Sequence, residues 1–117
     1  LFLNTSHETA LKNTIKCDVL CSFMTSLEFV KYSFPSKIIS YLFFNKFIVS
    51  QRKKDFESIN NFIFIDTLDP VSIHCGVLEA VKLVTANRVE RNGRDWVCRE
   101  LSMDAISKKI RYLTCRL

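Results

Sequence analysis

The sequence predicts a mainly α fold, a compact array of four to six helices, and three observations carry that expectation. The chain has only two glycines and two prolines, too few turn formers for a sandwich of many short strands. Apolar residues recur at steps of three and four along most of its length, which lines them up on one side of a helix. Nearly half of the 117 residues are apolar and ten are phenylalanine. That is material for one packed domain and not for a disordered segment.

The first stripe is Leu11, Ile15, Val19 or Leu20, Phe23, Met24, Leu27 and Val30. It predicts one long helix within residues 6–31, with Ser6 just ahead of it and Glu8 and Glu28 on its polar side. Ser33-Phe34-Pro35-Ser36 ends the element, because proline disfavours helix in the residue before it. A second helix is expected from Pro35 or Ser36 to about Val49, with Ile38, Ile39, Leu42, Phe43 and Phe47 inward. Gln51-Arg52-Lys53-Lys54-Asp55 reads as a charged connector. Beyond it, Phe56, Ile59, Phe62, Ile63 and Leu68 suit a third helix. The run Phe62-Ile63-Phe64-Ile65, bounded by Asn60-Asn61 and Asp66, would look the same as a buried strand. The alternative is therefore an α+β fold with a strand at 61–66.

Asp69-Pro70 is the clearest local signal. Aspartate at an N-cap accepts from a free backbone N–H, and proline at the first helical position has no N–H to leave unpaired. The helix it opens presents Ile73, Val77, Leu78, Val81 and Val84, and should end before Asn87. Asn92-Gly93 marks a turn. A two-residue hairpin there would set Arg91 opposite Arg94 and Glu90 opposite Asp95, and like charges across strands repel. A turn between helices is the better reading. Trp96, Met103, Ile106, Ile110, Leu113 and Leu117 then give a clean helical stripe from Met103 onward. A break is expected near Ser102, which can cap the last helix with Asp104 in its first turn. Two helices opened by proline, at Pro35 and Pro70, are compatible with a helical-hairpin array of the HEAT kind. That is an architectural analogy, without a repeat signature.

The chain starts at Leu1, and residues 1–117 are read as a single helical domain, a fragment of a longer protein. Its most hydrophobic stretch, residues 38–49, falls well short of the ~20 residues that span a bilayer, and Asn45 and Lys46 interrupt it. No membrane partner is expected. The five cysteines, Cys17, Cys21, Cys75, Cys98 and Cys115, are an odd number without a dense framework. They read as free core thiols in a reducing compartment, hence an intracellular protein of nucleus or cytoplasm.

Chemistry is sparse. Cys17 and Cys21 at i and i+4, with His74-Cys75, supply zinc-type ligands, but no tight two-cysteine knuckle occurs, and helical core is the simpler reading. A nucleophilic cysteine needs a base beside it. His7 lies near the start of the chain, and His74 points away from its neighbour Cys75. No nucleophile elbow, phosphate loop or His-Glu-x-x-His motif is present, so no enzyme, metal or cofactor is expected.

The net charge is +5, and residues 88–116 hold eight basic residues against four acids. Arg91, Arg94, Lys108 and Arg111 are the residues that would meet phosphates if this end bound nucleic acid. Residues 70–86, 95–101 and 103–117 even suggest a helix-turn-helix, but its turn would be Ser102 alone, where about three or four residues are usual. A solvated face of mixed charge explains the pattern more simply. Phe2, Phe34, Phe44 and Phe64 lie off the stripes and are candidates for a contact surface. The leading expectation is a non-catalytic interaction module that binds another protein through an apolar helix surface. The alternative is a basic nucleic-acid-binding domain using the C-terminal helix.

Overall fold

A computed structural model of the chain describes residues 6–23, 36–86 and 90–115. In chain order they form α1 (His7–Lys16), β1 (Val19–Ser22), α2 (Ser36–Phe43), β2 (Phe47–Gln51), a 3₁₀ turn (Lys54–Phe56), β3 (Phe62–Ile65), α3 (Pro70–Ala86), α4 (Gly93–Leu101) and α5 (Met103–Cys115). The three strands make one parallel sheet in the order β1-β2-β3. The chain is therefore α+β, and the mainly α and HEAT-like expectations are overturned.

The physical reason lies in burial on both faces. Strands of a parallel sheet covered by helices on each side read as continuous apolar runs, which periodicity cannot tell from buried helix. Phe47, Ile48 and Val49 are all fully buried. Phe47 and Val49, with Ile63 and Ile65, pack beneath Ala80 and the half-buried Ile73, Val77, Leu83 and Val84 of α3. Ile48 and Phe62 point the other way, into Ile38 and Leu42 of α2, Val97 of α4, and Phe56 and Ile59 of the β2–β3 connection. The alternative strand at 61–66 forms as Phe62–Ile65.

The predicted second helix stops six residues early. Asn45 takes a left-handed conformation, with φ of 56°. The Asn45 amide donates to the Leu42 carbonyl at 2.9 Å and the Lys46 amide to the Tyr41 carbonyl at 3.0 Å. These two bonds close a Schellman C-terminus, with asparagine where glycine is usual. In the sequence Asn45-Lys46 only interrupts an apolar run, and in the fold it turns α2 into β2. The predicted first helix is likewise cut at Lys16, and Val19 leads a strand. The predicted continuation over 24–31 and the boundary at Phe34 lie outside the described residues.

Predicted helix starts fare better. The Ser6 side chain accepts from the Thr9 amide at 3.2 Å, and Asp69 Oδ1 accepts from the Ser72 amide at 2.8 Å. Ser102 Oγ accepts from the Ala105 amide at 3.2 Å, so Ser102 ends α4 and caps α5. Asn92 is the cap residue of α4, as a turn between helices requires. α3 and α4 cover opposite faces of the sheet, which rules out a helix-turn-helix.

The amino ends of β2 and β3 and the start of α4 are tied by asparagines. Asn61 is fully buried. Its amide nitrogen donates to Asn45 Oδ1 (3.1 Å) and the Lys46 carbonyl (2.9 Å), and its Oδ1 accepts from the Gly93 amide (2.7 Å). Asn60 and Asn92 exchange backbone-to-side-chain bonds of 2.8 Å in both directions. The Asn61 side-chain groups and the Gly93 N–H, all on buried residues, would be costly to leave unpaired, at about 1–3 kcal/mol each. Gly93 is needed there: a Cβ would lie 2.7 Å from both Asn61 Oδ1 and Leu42 Cδ2.

Candidate functional site

Two places on the described surface carry polar or apolar groups not used up by the core. The first is an open cleft of about 390 Å³ at the carboxyl end of β3, lined by Phe64, Ile65, Asp66, Thr67, Ser72, Cys75, Gly76 and Glu79. Open parallel sheets bind ligands outside the carboxyl ends of their strands. Here, however, the polar groups hold one another. The hydroxyls of Thr67 and Ser72 both donate to Asp69 Oδ2. Those bonds, with the Ser72 amide, pull the Asp69 carboxyl down to about 2. The Thr67 bond contributes most, then the backbone N–H. Asp66 pairs with Arg52 at 3.2 Å. The network caps α3 and anchors the strand end, and the remaining polar lining is the Cys75 thiol and the Glu79 carboxylate.

The cysteines do not form a site either. All five are exposed, which overturns the expectation of core thiols. β1 is an edge strand and α1 buries no residue, so Cys17 and Cys21 have no interior to enter. Partial burial nevertheless pushes the Cys21 thiol up, the opposite of what activates a nucleophile. The same cause, with Cys21 and Cys17 nearby, raises Tyr41. Among the described residues no three of His, Cys, Asp and Glu gather closely enough to hold a metal ion. Among them, too, no helix is long and apolar enough to cross a membrane.

The second place is α5. This helix packs on α4, and Lys109 Nζ reaches back to the Glu100 carboxylate at 3.2 Å. That bond, followed by the one from Arg99, lowers the Glu100 carboxyl. The stripe Met103, Ile106 and Ile110 is left exposed, as is Tyr112. α3 adds Val71, Leu78 and Val81 on its outer side, so that helix carries apolar residues toward both sheet and solvent.

The four basic candidates separate into two pairs. Arg91 is half-buried, donates to the Asn45 carbonyl at 2.9 Å and lies 4.4 Å over the Phe47 ring. Arg94 sits 4.9 Å over the Phe43 ring. Both are engaged with the protein's own aromatic groups. Lys108 and Arg111 are exposed on α5 and make no ion pair among the described residues. Of the phenylalanines proposed for a contact surface, Phe44 and Phe64 are half-buried. Phe44 meets Phe43 edge-on at 5.7 Å, and Phe64 stacks on Phe62 at 5.2 Å. Phe2 and Phe34 lie outside the described residues. Phe43, read as inward, is exposed beneath Arg94. Periodicity hid this, because α2 is too short to bury a wide stripe.

Comparison with protein-family models, with curated proteins and with solved structures finds no match.

Proposed function

We infer that the chain is a non-catalytic protein–protein interaction module of a larger intracellular protein, and that α5 is its contact element. One observation carries this reading: Met103, Ile106 and Ile110 form a helical apolar stripe open to solvent. Amphipathic helices recognise partners through anchors at such spacing, laid into an apolar groove or against another helix. Exposed stripes of this kind otherwise favour aggregation, so a cover is expected. The odd set of free thiols supports the intracellular setting.

The alternative, nucleic-acid binding through the same helix, has Lys108 and Arg111 in its favour. Against it, Arg91 and Arg94 are occupied with Phe47 and Phe43, and phosphate contacts would leave the apolar stripe uncovered.

Photo-crosslinking tests the reading. A benzophenone amino acid is placed in turn at 106, 110, 108 and 111 of the parent protein in cells. Crosslinks to one protein partner from 106 and 110, but not from 108, support it. Crosslinks to nucleic acid from 108 and 111 would replace it with the alternative.

A further inference from the structure

We propose that Asn92-Gly93 is a deamidation site that the folded chain holds inert and that opening of the α4 start releases. Asn92 is the only asparagine of the chain followed by glycine, and glycine leaves its own amide nitrogen unhindered by a side chain. In the reaction the Gly93 N–H gives up its proton to solvent, the nitrogen bonds to Asn92 Cγ, and Nδ2 takes up a proton and leaves as ammonia. Water then opens the resulting cyclic imide at either carbonyl. The products are aspartate, or isoaspartate with the main chain rerouted through Cβ and Cγ. One water is consumed and one ammonia released, and nothing is oxidised or reduced.

Each reacting group is held in the fold. The amide of buried Gly93 donates to Oδ1 of fully buried Asn61 at 2.7 Å, so the proton that must leave is bound inside the chain. Asn92 Oδ1 accepts from the Asn60 amide at 2.8 Å and Nδ2 donates to the Ser58 carbonyl at 2.9 Å, which fixes Cγ. Asn92 has φ of −104° and ψ of 6°. With ψ near zero the Gly93 nitrogen lies over the Asn92 backbone nitrogen, about a third of a turn from the Cβ branch it must reach. Ring closure waits for the backbone to turn and for all three bonds to break. The change is one-way. A carboxylate at 92 has no hydrogen to donate to the Ser58 carbonyl, and the longer main chain of isoaspartate displaces Gly93, where even a Cβ would lie 2.7 Å from Asn61 Oδ1 and Leu42 Cδ2. A chain that opens and reacts cannot rebuild the tie between α4 and the β2–β3 connection, so the site records past opening.

The test incubates the full chain at neutral pH, folded in buffer and unfolded in concentrated urea. Each asparagine is followed by peptide mass spectrometry, and isoaspartate is counted by enzymatic methylation. Asn92 is expected to convert about tenfold or more faster in the unfolded chain, because conversion tracks the population of the open form. In urea it should outrun every other asparagine of the chain. Gly93→Ala, measured in urea where folding plays no part, should slow it. Asn92→Asp, which carries the direct product, should have a lower urea midpoint than wild type. Equal rates at 92 in the folded and unfolded chains would overturn the proposal. So would another asparagine leading in urea, a Gly93→Ala chain converting as fast as wild type there, or an Asn92→Asp midpoint at or above that of wild type.

Discussion

α2 and α5 are written in the same language and end in opposite environments. Each is an amphipathic helix with one apolar stripe. In α2, Ile38 and Leu42 are 2% and 0% exposed, pressed against Ile48 and Phe62 of the sheet. In α5, Met103 and Ile110 are 78% and 58% exposed, and the helix meets the rest of the domain through α4. A stripe states that a cover is needed. It does not state that the cover belongs to the same chain. What separates the two helices is their neighbours: α2 leads directly into β2 through the Asn45 turn, whereas α5 follows a helix and has no strand beneath it.

The sharpest way to break this contrast is to cut into α2. Leu42→Ala should destabilise the domain by about 2–5 kcal/mol, the range for emptying a fully buried leucine site. Urea denaturation measures it, and a cost under about 1 kcal/mol would mean that the α2 face is not packed as described. Next in size comes Gly93→Ala. Its Cβ would meet Asn61 Oδ1 and Leu42 Cδ2 at 2.7 Å, and neither can yield easily, because Asn61 holds three bonds and Leu42 fills the core. Overpacking of this kind costs about 1–3 kcal/mol, and an unchanged urea midpoint would show that α4 joins α2 more loosely than the structure has it.

A smaller effect comes from the solvent-exposed cap of α3. The Asp69 carboxyl is held at about 2 in the folded chain, below the ordinary value of about 3.9. Its contribution is therefore complete above about pH 4 and disappears as pH falls through about 2. Asp69→Asn retains a capping acceptor without the titration. The wild type should be the more stable of the two at pH 7, and the two urea midpoints should converge at pH 2. A constant gap would show that the hydroxyl bonds of Thr67 and Ser72 do not select the charged carboxylate.

What was legible in the sequence was the chemistry of short segments. Asp69-Pro70 and Ser102 mark helix starts because their side chains accept from amides three positions on, and Asn92-Gly93 marks one through its turn chemistry. The strands were hidden for a different reason. Phe47 continues the four-residue spacing of Ile39 and Phe43 by coincidence, and Val19 continues that of Leu11 and Ile15. Strands buried on both faces carry no alternation to contradict the helical reading. The pairing of Asn61 with Gly93 could not be identified, since the two stand 32 residues apart and meet only in the fold. The candidate surface was half visible: the stripe of α5 is plain in the spacing, but its exposure depends on which elements the sheet leaves room to cover. The same holds for the cysteines: residue type suggests burial, but Cys17 and Cys21 lie at an edge strand and Cys75, Cys98 and Cys115 on the exposed sides of helices.

The central claim is that the α5 stripe lies outside the chain's own core, and a paired glutamate variant tests it most directly. Met103→Glu with Ile110→Glu places two charges on the stripe. If the stripe is open to solvent, the urea midpoint should correspond to a stability within about 0.5 kcal/mol of wild type, as for ordinary surface substitutions. A loss of about 3 kcal/mol or more, the penalty for forcing charge into packed apolar surroundings, would contradict the account and return α5 to the core.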